Sequence, residues 1–187
     1  GEPLLDDAGT ATGAVWVLML AYDGTVASHN RISNTPDTGA LVFDGQCGSA
    51  LAGLGRSASS TPMLAVGCPG YAADTGMLQL LHLDGGGVTA SFQRVTGSGG
   101  GDAPSFTPVL PTGGHWARSI AALGPVDGDT YGDVAVGADG TVHILFMDGD
   151  AAVLGFASLN ASTIGLETVV PYLSRFGHFV GTAGDTN

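Results

Sequence analysis

The chain has 187 residues, of which 32 are glycine and none is lysine, and its formal net charge is −12. Five arginines are its only permanently basic side chains, so it lacks the clustered positive charge that nucleic-acid binding requires, and no nucleic-acid partner is predicted. No apolar run approaches the ~20 residues of a membrane-spanning helix, so no membrane insertion is predicted. The acidic charge suits a secreted protein, although it is equally explained by solubility alone.

Short apolar runs that end in glycine-rich turns dominate the chain, and no stretch has helical periodicity over three turns. This pattern predicts an all-β fold with four antiparallel strands in each repeating unit. The first unit holds two strand-like segments, 13–20 and 24–33. The second and third units each hold four, and one more begins at 176; they are 47–55, 63–68, 76–83, 87–96, 116–123, 133–138, 140–147, 151–159 and 176–183.

The same apolar segment occurs three times, each time after a glycine. Gly13, Gly76 and Gly140 precede it, at steps of 63 and 64 residues. A fixed period of this length indicates a repeat architecture, in which one unit buries its apolar face only against its neighbours. Repeat proteins of this kind mostly act as binding, adhesive or structural proteins. Gly1 is expected to be a processed start or a fragment boundary, because neither Met nor a signal sequence precedes it.

Strands within a unit differ in character, which predicts how the units are built. The third strand is continuously apolar and the fourth alternates, as expected for an inner strand and an outer strand with one wet face. Four such strands describe the blade of a β-propeller. We therefore predict one repeat domain, 1–187, divided into a half blade at 13–33, blades at 47–96 and 116–159, and the start of a further blade at 176–187. Glycine and serine at 96–102 predict a mobile linker.

Two cysteines occupy adjacent strand-like segments of the second unit. Cys47 opens one strand and Cys68 closes the next, so antiparallel pairing brings them roughly opposite each other. Two interpretations stay open, a disulfide bond or a pair of buried free thiols. A disulfide would place the protein outside the reducing cytosol.

Three stretches of the chain resemble FG-GAP repeats. They are WARSIAALG at 116–124 with DVAVGA at 133–138, CGSALAGLG at 47–55 with LAVGCPG at 64–70, and FGHFVGTAGD at 176–185. FG-GAP repeats build the seven-bladed propeller of integrin α-subunits and of many secreted bacterial and algal proteins. The resemblance therefore implies a partial propeller in an extracellular or cell-surface protein.

The resemblance also implies a calcium loop between the first two strands of a blade. In the third unit it assigns the ligand positions to Asp127, Asp129, the carbonyl of Tyr131 and Asp133, with oxygen ligands suited to a hard cation. Pro125 stands at the first position and offers no side-chain oxygen, so we expect either a weakened, vestigial calcium site or an empty hairpin. The alternative is that Asp and Gly only form the turn.

Two other loops and one sequence triplet complete the candidate sites. The loop 56–62 has no acidic residue and is predicted to bind no calcium. Asp185 and Asn187 match the first and third positions of a further, truncated calcium loop. Asn160 begins an Asn-Ala-Ser triplet, which is an acceptor for N-linked glycan in a secreted eukaryotic protein.

Catalytic groups are sparse in the sequence. Five histidines are scattered along the chain without metal-ligand spacing, and no serine lies in a nucleophile elbow. We therefore predict no catalytic residues and expect that the protein is not an enzyme.

These observations favour an extracellular structural or adhesive protein, a subunit of a filament or cell-surface appendage that associates with other protein chains, including copies of itself. The alternatives are an integrin-like module that binds a ligand, and an accessory propeller of a secreted hydrolase. The half blade 13–33 lacks first strands and the segment 176–183 lacks later ones. We therefore expect segment 176–183, or its equivalent from a neighbour, to pair with or pack beside a partial blade.

Overall fold

A computed structural model describes residues 1–5, 11–34, 41, 45–160, 162–165 and 175–184. In this part of the chain the fold is all-β, as predicted, and the one helical segment is the four-residue turn α1 (Tyr71–Asp74). The strands in chain order are β1 (Val15–Leu20), β2 (Val26–Ile32), β3 (Ala50–Arg56), β4 (Pro62–Cys68), β5 (Met77–Leu83), β6 (Thr89–Val95), β7 (Ser119–Ala122), β8 (Val134–Ala138), β9 (Thr141–Met147) and β10 (Val153–Asn160).

These strands form three antiparallel sheets in which each strand pairs with the next one in sequence. Sheet 1 is β1–β2, sheet 2 is β3–β4–β5–β6 and sheet 3 is β7–β8–β9–β10. Leu64 lies opposite Leu81 in sheet 2, and Val134 lies opposite Leu145 in sheet 3. The glycine-bounded apolar runs form antiparallel strands because the glycine-rich turn at the end of each run reverses the chain direction, so that the next run pairs with it.

Three predicted strands differ from the structure. Sheet 2 begins at Ala50 rather than at Cys47, and sheet 3 begins at Ser119 rather than at residue 116, because residues 46–49 and 115–118 form turns. The predicted strand 176–183 is absent, since residues 175–184 are turns and irregular backbone. The backbone of this segment bonds to sheet 3 instead, where Gly140 N donates to Phe176 O at 2.8 Å.

Successive side chains of a strand point to opposite faces, so each sheet has two faces. Face A is the side that carries Leu78 and Leu80 of β5. The equivalent residues are Val15 and Val17 of β1, and Val142 and Ile144 of β9. Face B is the opposite side, which carries Leu81 and Leu83 of β5. Pairing extends these faces across the sheet, because residues directly opposite each other share a face.

The same packing of faces occurs twice. Face A of sheet 1, with Val15 and Ile32, packs on face B of sheet 2, with Val66 and Leu81. Face A of sheet 2 packs in turn on face B of sheet 3. The residues of this second core are Ala65, Leu78, Leu80, Val95, Ile120, Val134, Val136, Leu145, Met147 and Val153. Burying one such side chain is worth about 1.5–3 kcal/mol, so these two cores hold the sheets together.

The linker after β6 belongs to the second core. Phe106 is fully buried and Ala103 is almost so. Ser98 N and Gly99 N donate to the carbonyls of Pro108 and Phe106, both at 2.7 Å. The segment that the sequence predicts as mobile is thus anchored by hydrogen bonds and by a buried aromatic ring.

A backbone contact at equivalent positions joins neighbouring units. Isolated parallel bridges link Gly13 to Cys47 and Gly76 to Trp116. Both glycines have positive φ, and a Cβ atom at either position would collide with the partner's carbonyl oxygen. Glycine is required there because the main chains touch and because the left-handed conformation disfavours other residues.

Candidate functional site

The first junction, between sheets 1 and 2, contains a disulfide bond. Cys47 and Cys68 are joined, which confirms one of the two interpretations of the sequence. Both are fully buried, as is Gln79, whose side-chain oxygen lies 3.8 and 3.7 Å from the two sulfur atoms. A disulfide is compatible with an extracellular location, since such bonds persist in oxidising compartments.

The second junction, between sheets 2 and 3, has an aromatic cluster at the equivalent place. Trp116, the counterpart of Cys47, is fully buried, and its ring stacks on Phe106 with a centroid distance of 4.8 Å. Trp116 Nε1 donates a hydrogen bond to His143 Nδ1 at 3.1 Å. Burial lowers the pKa of His143 to about 4, so the ring is neutral at pH 7.

The proposed calcium loop is a hairpin stiffened by its own carboxylates. Asp127 Oδ1 accepts from Asp129 N at 3.1 Å, and Asp129 Oδ1 accepts from Tyr131 N at 2.7 Å. Asp133 is buried, and its two oxygens accept from Val126 N at 2.8 Å and from Met147 N at 3.0 Å. Asp133 therefore fixes the hairpin to β9.

This arrangement fits a calcium ion only in part. Asp127 and Asp129 each accept a backbone hydrogen bond through Oδ1, and no described hydrogen bond uses their Oδ2 atoms. Both oxygens of Asp133, in contrast, accept hydrogen bonds from backbone amides. Within the described residues, no three His, Cys, Asp or Glu side chains lie together in a way that could hold a metal ion. Calcium binding at this loop stays a prediction, and Asp185 and Asn187 lie outside the described residues.

The glycan acceptor lies at the end of an outer strand. Asn160 is the last residue of β10 and is half-buried. Its Oδ1 accepts from Thr163 N at 3.0 Å, so the side chain caps the following turn. Ala161 of the triplet lies outside the described residues, and glycosylation stays a prediction.

A charged cluster that the sequence does not indicate surrounds Asp139. His115 Nδ1 lies 3.1 Å from Asp139 Oδ2, and His178 Nε2 lies 2.6 Å from Oδ1. Arg118 Nη1 also forms an ion pair with Oδ1. Burial alone raises the pKa of Asp139, but the hydrogen bonds from Arg118 and His115 and the nearby positive charges outweigh it, and the pKa lies below its usual value.

This cluster borders a pocket of about 210 Å³ in which equivalent turns of three successive units meet. The turns are 46–49, 115–118 and 175–178. In each, the fourth residue's N donates to the carbonyl of the first, at 3.3, 3.2 and 3.1 Å. The lining residues are Gln46, Ser49, Pro69, His115, Arg118, His178 and Phe179. Two histidines that are scattered in the sequence thus converge because the units repeat.

Two sheet faces remain without a partner sheet in the described part of the chain. Face B of sheet 1 exposes Trp16, Leu18 and Leu20, with exposed fractions of 43%, 52% and 63%. The ring of Trp16 lies 5.5 Å from that of His29 and beneath the guanidinium of Arg31. An apolar strip of this kind is typical of an interaction surface.

The other face is face A of sheet 3. Phe176 and Val180 cover part of it, next to Ala135 and Val142. The remainder is an open groove of about 500 Å³ with mainly apolar walls, which include Ile144. Sheet 1 thus offers a free B face and sheet 3 a partly free A face.

No protein-family model matches the chain, and no curated protein is significantly similar to it. The FG-GAP assignment therefore stays a proposal that depends on the motifs and on the repeated geometry. No helix in the described residues is long and apolar enough to cross a membrane.

Proposed function

We propose that the three sheets are consecutive blades, or parts of blades, of an FG-GAP propeller. The repeated contacts support this assignment. Face A packs on face B at both junctions, and glycine bridges the first motif residue of the next unit at both. The first strands β3 and β7 are also neighbours, and the turns that precede the first strands meet at one pocket. Convergence of equivalent turns favours an arrangement around a common axis.

We further propose that the protein is an extracellular structural or adhesive component whose units assemble end to end with other protein chains. The observation that carries this proposal is the pair of free faces. An A face and a B face pack on each other at both junctions, and in the part of the chain that the structure describes one B face and part of one A face have no partner sheet. A second copy can therefore place its B face on the A face of the first, which is a heterologous contact that propagates.

The composition of the free B face supports this proposal. Trp16, Leu18 and Leu20 occupy the positions that Gln79, Leu81 and Leu83 occupy in the buried B face of sheet 2. The first strip is therefore as apolar as one that is buried within the chain. Apolar faces of this size drive association because water excluded from them gains entropy.

Paired variants test the assembly. Leu18→Asp places a charge on the free B face. Leu159→Asp places one on the free A face, where Leu159 packs beside Ala135 and Val142. We expect the unmodified chain to form concentration-dependent oligomers in light scattering, and each variant alone to be monomeric. A mixture of the two variants retains one good A face and one good B face, so it is expected to form dimers and nothing larger.

Val109→Asp is the matched control, because Val109 is 84% exposed in the linker and belongs to neither face. It is expected to assemble as the unmodified chain does. A chain that stays monomeric at several hundred micromolar would overturn the proposal. Oligomers that both single variants still form would show that association uses another surface.

A second candidate function is an integrin-like module that captures a ligand, and an accessory propeller of a secreted hydrolase is a third. The pocket at the meeting point of three turns favours the second candidate, because ligand sites are concave and carry a few convergent polar groups. A monodisperse monomer that binds a ligand at this pocket would favour it over assembly. That the protein is not an enzyme stays a prediction.

A further inference from the structure

The pocket between turns 46–49, 115–118 and 175–178 gathers basic side chains in a strongly acidic protein. One of the five arginines and two of the five histidines line it, whereas the net charge of the whole chain is −12. Asp139 is the one carboxylate in contact with these three side chains among the described residues. Its negative charge pairs with Arg118, and the two histidines add ring nitrogens to the same cluster.

Asp139 orders these groups without exhausting their donors. Arginine has five N–H donors, and the described contacts of the Arg118 guanidinium, to Asp139 Oδ1 and to His178 Nε2 at 3.1 Å, both use Nη1. His115 and His178 each use one ring nitrogen on Asp139 and keep a second one. The cluster therefore presents further donors that are already oriented, which lowers the entropic cost of binding an anion.

Backbone strain at the same turn supports a functional interpretation. Ala117 has a φ of 65° and His115 a φ of 48°, both in the left-handed region that costs non-glycine residues energy. The residues equivalent to Ala117 in the neighbouring turns are Gly48 and Gly177. Gln46, which is equivalent to His115, also has a positive φ of 51°, so the left-handed backbone belongs to the repeated turn and only Ala117 replaces a glycine in it. Strained residues of this kind persist where the surrounding structure holds them.

The other walls indicate what the anion is attached to. Gln46 offers an amide, and Ser49 Oγ, which donates to Gln46 O at 2.7 Å, offers an oxygen that accepts. Phe179 stands at the rim with an exposed fraction of 93%. An aromatic ring, neutral polar groups and a cluster of basic hydrogen-bond donors together match a hydroxylated ring that bears a carboxylate. The volume of about 210 Å³ suits a single monosaccharide, since drug-sized ligands occupy ~300–1,000 Å³.

We propose that this pocket binds the carboxylate of an acidic sugar, with Arg118 and His178 on the carboxylate and Gln46 and Ser49 on the hydroxyl groups. Phe179 covers the apolar face of the sugar ring. Phe179 also lines the groove at the free A face of sheet 3, whereas Gln46, Ser49, Arg118 and His178 line neither free face. Variants of Arg118 and His178 therefore test sugar binding separately from end-to-end assembly.

The probes are glucuronate, glucose and the blocked amino acid N-acetyl-aspartate amide, each titrated into the full chain by NMR. We expect glucuronate to bind with a Kd of about 1 mM, weakening with added salt, and glucose to bind at least about tenfold more weakly. Arg118→Gln is expected to weaken glucuronate binding about tenfold, because it removes charge-assisted hydrogen bonds. Phe179→Ala is expected to reduce the preference for glucuronate over N-acetyl-aspartate amide, because it removes the ring that covers the sugar.

Arg56→Gln is the matched control, because Arg56 bonds to Ser60 O outside the pocket, and it should leave binding unchanged. His178→Gln provides a second test if Arg118→Gln fails to fold, and about threefold weaker binding is expected from it. Equal binding of glucuronate and glucose, or none, would overturn the proposal. Tighter binding of N-acetyl-aspartate amide would overturn the sugar assignment and identify an acidic protein side chain as the ligand.

Discussion

The two junctions of this molecule solve one packing problem with different chemistry. At the first, Cys47 and Cys68 form a disulfide beside the amide of Gln79. At the second, the position of Cys47 holds Trp116 and that of Gln79 holds His143. Both pairs lie between a face A and a face B, and both are buried.

The main chain explains why such different side chains are interchangeable. Gly13 and Gly76 bring the neighbouring units into backbone contact at equivalent positions. The distance between the sheets is therefore set by the main chain and does not depend on the side chains at the junction. The side chains then only need to fill the space and to satisfy each other's polar atoms. The first junction depends on a covalent bond and the second on aromatic burial, and the following predictions separate these contributions.

Trp116→Ala is expected to have the largest effect. It removes a fully buried ring, its stacking on Phe106 and the donor to His143, so a loss of about 3–5 kcal/mol in the free energy of unfolding is expected. Urea denaturation measures the loss. Trp16→Ala, at an exposed indole, is the control and should cost about 1 kcal/mol or less. Similar losses in both variants would contradict the assigned core.

Removal of the disulfide is expected to have the next largest effect. Cys47→Ala with Cys68→Ala opens a loop of 21 residues, which costs about 3 kcal/mol in the chain-entropy model. Trp16 fluorescence reports unfolding of sheet 1, whose other face forms the first junction, and Trp116 reports the second junction, so the loss should appear mainly in the Trp16 transition. Reduction of the unmodified chain should reproduce it. An unchanged urea midpoint after reduction would contradict the prediction.

Acidification is expected to weaken the second junction more than the first. The pKa of His143 is lowered to about 4 by burial, whereas an unfolded histidine titrates near 6.5. Between about pH 6.5 and pH 4 the unfolded chain binds a proton at His143 that the folded chain does not bind. The free energy of unfolding therefore falls as the pH is lowered from about 6.5 to about 4, and this contribution levels off below about pH 4. Between about pH 7.5 and 5 this histidine costs about 2 kcal/mol.

His143→Gln is the informative variant, because glutamine is the residue at the equivalent position of sheet 2 and keeps an acceptor for Trp116 Nε1. It should abolish this part of the pH dependence without changing the Trp16 transition. An unchanged pH profile in the variant would show that other groups cause the acid sensitivity.

Calcium is expected to have the smallest effect, at the hairpin beside the second junction. Pro125 supplies no side-chain oxygen and Asp133 holds two amides, so we expect the Kd at the weak end of the extracellular range, about 1 mM. Calcium at about 5 mM then stabilises the chain by about 1 kcal/mol, measured as a shift in Tm. Asp127→Asn with Asp129→Asn should abolish the shift. A shift that survives in this variant would place the ion elsewhere.

Sequence periodicity was sufficient for ten of the strands and for the proximity of the two cysteines, but it left a disulfide and two free thiols as alternatives. Glycine-bounded apolar runs such as 76–83 can bury both faces only as inner strands, and the positions of Cys47 and Cys68 follow from antiparallel pairing. These features depend on contacts within one unit, where short-range pattern and structure coincide.

The contacts between repeating units could not be predicted from the sequence pattern. Phe106 lies in a glycine-rich linker, and it is buried because its ring packs on that of Trp116 in the next unit. The Asp139 cluster draws residues from separate turns, so no local spacing indicates it. The segment 176–183 forms no strand, since its backbone groups bond to sheet 3, and no second strand for it lies in the described residues.

The disulfide has a mechanical consequence for a protein proposed to be part of an assembly. If such a chain is pulled from its ends, the hairpin β3–β4 cannot contribute its full length, because the covalent bond closes the 21 residues between Cys47 and Cys68. At ~3.5 Å per residue, about 70 Å of extension stays locked until the bond is reduced. Force then passes through two sulfur atoms rather than through the hydrogen bonds between β3 and β4. The redox state of the surroundings would thus set the extensibility of the second unit.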